Sequence, residues 1–76
     1  MEELVAAIAR SLVDQPDQVN VRRLDDEETI TIELSVAAED LGKVIGKQGR
    51  TARALRTVLA ASAAQVEKKS RLEIVE

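Results

Sequence analysis

The chain has 76 residues, 45% of them hydrophobic and 33% charged, a net charge of −3, and no Cys, His, Trp, Tyr or Phe. This is the balance of one small folded domain, spanning residues 1–76, rather than of a disordered tail. The missing residue types exclude disulfides, thiol chemistry, Cys/His metal sites, His-based acid–base catalysis and the base-stacking aromatic surface of an RNA-recognition motif.

Met1-Glu2-Glu3 is acidic where a secretory leader would be basic, and no apolar run approaches the roughly 20 residues of a membrane span. A cytoplasmic protein with no membrane partner is expected. From Glu2 to about Asp14, Leu4, Val5, Ile8, Leu12 and Val13 recur with helical period, and Glu2 and Glu3 stand in the first turn, where the helix dipole favours anions. Asp14-Gln15-Pro16 ends that helix, because proline disfavours helical geometry in the residue before it. Two strands follow, Val19–Leu24 and Thr29–Val36. In the second, Ile30, Ile32, Leu34 and Val36 alternate with Thr29, Thr31, Glu33 and Ser35, which predicts one buried face. Asp25-Asp26-Glu27-Glu28 between them reads as a hairpin loop without the usual glycine.

A short helix over Glu39–Ile45 is ended by Gly46, in the place of a left-handed cap. Gly49 follows three positions later, and a long alanine-rich helix runs from Arg50 to about Val66. Arg71–Val75 closes the chain as a strand. The predicted order is α-β-β-α-α-β, an α+β fold with a three-stranded sheet and three helices packed on one face.

Charge is divided along the chain. Residues 1–40 carry three basic side chains against eleven acidic ones (net −8), and residues 41–76 carry eight against three (net +5). Five basic residues and no acidic one lie between Lys43 and Arg56. The split predicts a polyanion-binding edge on an otherwise acidic body. Glu39-Asp40 and Asp25-Asp26 read as solvated helix starts and turns, not as acid–base pairs, since so short a chain offers no dry cleft to shift their pKa values.

The most informative stretch is Val44-Ile45-Gly46-Lys47-Gln48-Gly49-Arg50-Thr51. Two glycines three apart admit a tight turn that a Cβ would penalise, and leave no bulk to hold a sugar–phosphate backbone away. The turn falls where one helix ends and another begins, so the amides of Gly49, Arg50 and Thr51 are expected to face outward with the positive end of the dipole. Lys47 adds a cation at the tip. Arg50 opposes the dipole in the first turn of its helix, at a cost of about 0.3–1 kcal/mol, which makes sense if an anion sits there. A nucleotide P-loop does not fit, because only three residues separate Gly42 from Gly46 and Gln48 stands where Ser or Thr would hold magnesium.

On these residues the sequence resembles the KH domain family, whose hallmark is a Val-Ile-Gly-x-x-Gly loop between two helices. The element order looks like the type II variant, and the whole chain is similar to the small stand-alone bacterial KH proteins of the KhpA group. The resemblance implies that Gly46, Lys47, Gln48 and Gly49 clamp the backbone of single-stranded RNA, with Val44 and Ile45 lining an apolar floor for the bases. It also implies a short variable loop, here Glu67-Lys68-Lys69-Ser70, and hence a shallow groove. Phosphate contacts are expected from Lys47, Arg50 and Arg53, with Lys43 close by.

The function expected is a non-catalytic single-stranded RNA-binding protein that needs no cofactor and no metal. The alternative is an assembly subunit with weak RNA affinity of its own that docks onto a larger RNA-binding partner. The long helix bears on both. Ala52, Leu55, Leu59 and Val66 fall on one side, toward the sheet, and Arg50, Ala54, Thr57, Ala61 and Ala64 on the other. So many small residues on an exposed face point to self-association through Ala54, Thr57, Ala61 and Ala64. The resemblance adds homodimers, and heterodimers with a larger KH protein of the Jag type.

Overall fold

In the computed structural model, which describes residues 1–76, the elements are helix α1 (Glu2–Leu12), strands β1 (Asn20–Asp25) and β2 (Thr29–Ser35), helices α2 (Leu41–Ile45) and α3 (Arg50–Ala64), and strand β3 (Lys69–Val75). Short 3-10 turns occupy Pro16–Gln18, Ala38–Asp40 and Lys47–Gly49. The α-β-β-α-α-β order and the α+β class agree with the sequence.

β2 is the centre of the sheet, paired antiparallel with β1 and parallel with β3. Ile30, Ile32, Leu34 and Val36 are buried, as the alternation predicts. The register sets Leu72 beside Ile32 and Ile74 beside Leu34, so the apolar face continues across β3. Side chains of this size contribute about 1.5–3 kcal/mol each when fully buried. Val5 and Ala9 of α1, Val44 of α2, and Leu55, Leu59 and Ala63 of α3 complete the same core.

The hairpin turns without glycine because Asp26 replaces it chemically. Its Oδ1 accepts the amides of Glu28 and Thr29 at 2.8 and 2.7 Å, and its own amide donates to Thr29 O at 3.0 Å. A carboxylate that satisfies two backbone donors mimics a turn.

Several expectations need correction. In α1 the buried residues are Val5, Ala6 and Ala9, while Leu4 and Leu12 are exposed. Ala6 and Ala9 let the helix backbone lie close to the sheet, which lifts the longer leucines out to the flanks. In α3 the fourth buried position is Ala63, not Val66. The helix ends at Ala64, and Val66 lies in the following turn, 58% exposed. Lys69 and Ser70 already belong to β3, so the four-residue connection before it lies at residues 65–68, two positions earlier than expected. Lys68 is not a free basic residue there either: its Nζ donates to Asp26 O at 2.9 Å and ties the connection to the hairpin.

Candidate nucleic-acid interface

The junction between α2 and α3 is built from three positive φ angles, at Gly46, Gln48 and Gly49, after one apolar anchor. Val44 is completely buried and fixes α2 to the core. Gly46 ends that helix with φ 77° and ψ 171°, a region open essentially only to glycine and not the left-handed cap expected from sequence. Gln48 (φ 57°, ψ 27°) and Gly49 (φ 74°, ψ 15°) are left-handed, and Arg50 returns to helical geometry. Gly46 also packs tightly: a Cβ there would stand 2.4 Å from Thr51 Oγ1. The two glycines therefore differ, because nothing lies within 4 Å of a Cβ built on Gly49.

The turn consumes amides that the sequence left free. Gly49 N donates to Gly46 O at 3.1 Å, and the Arg50 amide closes back on Lys47 O. The anion attraction of this junction thus rests on side-chain cations more than on the helix amides. Lys47, Arg50, Arg53 and Arg56 are all exposed, and none is within ion-pairing distance of a carboxylate. Arg53 reaches back over the loop and donates from a guanidinium nitrogen to Gln48 O at 3.4 Å. The loop and the first two turns of α3 thus carry four exposed cations with no carboxylate partner.

Two of the expected site residues are placed elsewhere. Lys43 is drawn inward, donating to Asp14 Oδ2 and, at 3.3 Å, to Asp40 Oδ1, so its charge is already neutralised. These contacts raise its pKa, first through Asp14 and then Asp40. Val44 belongs to the core, which leaves Ile45 as the aliphatic residue that offers surface beside the loop. Of the residues proposed for the outer face of α3, Ala54, Thr57, Ala61 and Ala64 are all exposed. Thr57 Oγ1 donates to Arg53 O at 3.0 Å, which folds its hydroxyl against the helix.

Sequence reasoning missed Asp40. Read as a solvated helix start, it is fully buried, and its carboxylate accepts the Asp14 amide at 3.2 Å and the Gln15 amide at 3.0 Å. Burial pushes its pKa up, but the two amides and Lys43 outweigh that and hold the carboxyl below its ordinary value. The one signal available was an Asp directly before the apolar start of a short helix. Elsewhere the surface holds no pocket, and no group of three or more His, Cys, Asp or Glu is placed to hold a metal ion. No helix is long and apolar enough to cross a membrane.

A three-stranded mixed sheet, helices on one face, and a Gly-Lys-Gln-Gly turn joining two of them define a KH-type domain. The profile of the family described as KhpA/KhpB, KH domain matches residues 2–74, and the chain belongs to that family. It is 55% identical over 75 residues to the RNA-binding protein KhpA of Clostridium perfringens, covering 99% of this chain and all of that protein. It is similar also to the RNA-binding proteins KhpA of Halalkalibacterium halodurans (53% over 76 residues, all of both chains) and Treponema pallidum (53% over 75 residues, 99% of this chain and 94% of that one). No solved structure matches significantly.

Proposed function

We propose that this chain acts in the cytoplasm as a non-catalytic single KH domain that binds single-stranded RNA, clamping the sugar–phosphate backbone on the Gly46-Lys47-Gln48-Gly49 turn. Lys47, Arg50 and Arg53 supply the phosphate contacts, and Ile45 offers apolar surface to an adjoining base. The observation that carries this reading is the cluster of exposed cations without acidic partners around a glycine-bounded turn, on a protein whose net charge is −3. In a body that is acidic elsewhere, cations left unpaired together are placed for an external polyanion. The names of the curated relatives describe RNA binding rather than catalysis, which supports the same assignment.

The outer face of α3 adds a second element to the proposal. Ala54, Thr57, Ala61 and Ala64 lose little side-chain entropy when covered, so two copies can meet there, or one copy and a larger Jag-type KH partner. Pairing would place two loops in one particle and raise avidity without a new RNA contact.

The test of the clamp replaces Lys47 and Gln48 together by Asp. Asp tolerates the left-handed geometry of position 48, so the fold is kept while two carboxylates face the phosphates. Fluorescence anisotropy with a labelled single-stranded RNA should show at least a tenfold loss of affinity. A folded variant that binds like the wild type refutes the clamp.

A further inference from the structure

Asp40 is the one buried charged residue of the molecule, and RNA binding through the loop gives it no task. Its carboxylate joins α2 to the connection between α1 and β1, taking the amides of both Asp14 and Gln15 and the ammonium of Lys43. What it holds is the helix that leads into the loop. α2 has five residues, far short of the about 12–15 that an isolated helix needs, so its direction is set by its anchors. Those anchors are few: Asp40 before its first residue, Val44 and the partly buried Leu41 in the core, and Gly46 against Thr51 at its end. Asp40 and Gly46 stand at opposite ends of α2, roughly 9 Å apart at the helical rise of 1.5 Å per residue. A rotation of α2 about Val44 would carry the loop with it.

We infer that Asp40 is a positioning residue for the phosphate site: it fixes α2 to the α1–β1 connection, so that Gly46–Gly49 and the start of α3 present their cations in register, and it keeps Lys43 out of the phosphate contacts. This rests on the loop being the RNA site. It makes a prediction opposite in sign to simple electrostatics. Neutralising Asp40 removes a negative charge near a polyanion, which by charge alone strengthens binding. Positioning requires it to weaken binding instead, because the Asp14 and Gln15 amides donate to different carboxylate oxygens, and Asn would set an NH2 donor against one of them.

The experiment measures affinity for a labelled single-stranded RNA, and the amide shifts of residues 46–50, at a temperature where every protein is folded. Four chains are compared: wild type, Asp40→Asn, Ile30→Val and the double Asp variant of the loop. Ile30 lies at the hairpin end of β2, away from α2, and its truncation lowers stability without touching the latch. Asp40→Asn is expected to bind about tenfold more weakly with displaced loop amides, while Ile30→Val binds as wild type. Should Asp40→Asn unfold, Asp40→Ser, which keeps an acceptor at the helix start, is read in its place in sucrose, which strengthens folding. Equal or tighter binding by the folded Asp40 variant overturns the positioning role, provided the loop variant has lost binding. If the loop variant binds normally, it is the clamp itself that fails.

Discussion

Gly46 and Thr51 are in contact across the loop so closely that a single added carbon does not fit: a Cβ on Gly46 would stand 2.4 Å from Thr51 Oγ1 and 2.9 Å from its backbone nitrogen. The contact locks the end of α2 to the first turn of α3, and it separates the two glycines of the motif physically. Gly46→Ala combines a backbone pair of φ 77° and ψ 171°, open essentially only to glycine, with that overlap, whereas Gly49→Ala meets only the left-handed penalty of about 1–2 kcal/mol. In thermal melts Gly49→Ala should lower Tm by roughly 5–10 °C and Gly46→Ala by more. Gly49→Asn should recover part of the loss, since Asn visits the left-handed region, and Gly46→Asn should recover none. Equal losses at the two sites would contradict the contact.

Asp40 makes stability depend on acid. Its carboxyl sits below its ordinary value of 3.8, so the folded chain binds fewer protons than the unfolded chain in that region. Stability therefore rises with pH there. The contribution is complete above the unfolded value and is lost as pH falls through the lower folded value. Asp25, held low mainly by Arg23, and Asp26, held low by the amides of Glu28 and Thr29, act in the same window. Denaturation midpoints should be level from pH 7 to about 5 and fall below about 4. Asp40→Asn should start lower at pH 7 and fall less steeply in acid. Parallel curves for the two proteins would remove Asp40 from the account.

Removing the Asp26 carboxylate tests the hairpin. Asp26→Ala deletes the acceptor for the Glu28 and Thr29 amides in a loop that has no glycine. Tm should fall by about 5 °C or more, and Asp26→Asn, which keeps one acceptor oxygen, should fall less.

The outer face of α3 predicts the assembly state. Ala61→Asp puts a charge at the centre of the exposed Ala54, Thr57, Ala61 and Ala64 surface without disturbing the buried side. Sedimentation should show the wild type self-associating at high concentration and Ala61→Asp monomeric with the same helical circular dichroism. A wild type that stays monomeric at high concentration contradicts the homodimer.

The legible parts of this chain were those with strong local signals. Alternation in Thr29–Val36 identifies the core strand because a strand with one buried face leaves no other pattern. The Val-Ile-Gly-Lys-Gln-Gly sequence identifies the loop because glycine spacing reports backbone geometry directly. What sequence could not weigh was packing distance. Leu4 and Leu12 look like core residues by hydropathy, yet Ala6 and Ala9 are the ones that approach the sheet. Asp40 and Lys43 were misread for another reason. Their partners at Asp14 and Gln15 lie 25 to 29 residues away, and no local pattern reveals such a pairing. The amides of Gly49 and Arg50 were read as free because the non-glycine left-handed residue, Gln48, was not foreseen.

The central claim is that phosphates meet Lys47, Arg50 and Arg53 at the Gly-Lys-Gln-Gly turn, and the salt dependence of single-stranded RNA binding tests it most directly. Each phosphate neutralised on a single strand contributes about −0.7 to the slope of log affinity against log salt, so three contacts predict a slope of roughly −2. Replacing Lys47 or Arg50 singly by Gln should each bring the slope closer to zero by about 0.7. An affinity that does not change between low and physiological salt, or a slope untouched by both substitutions, would contradict the account.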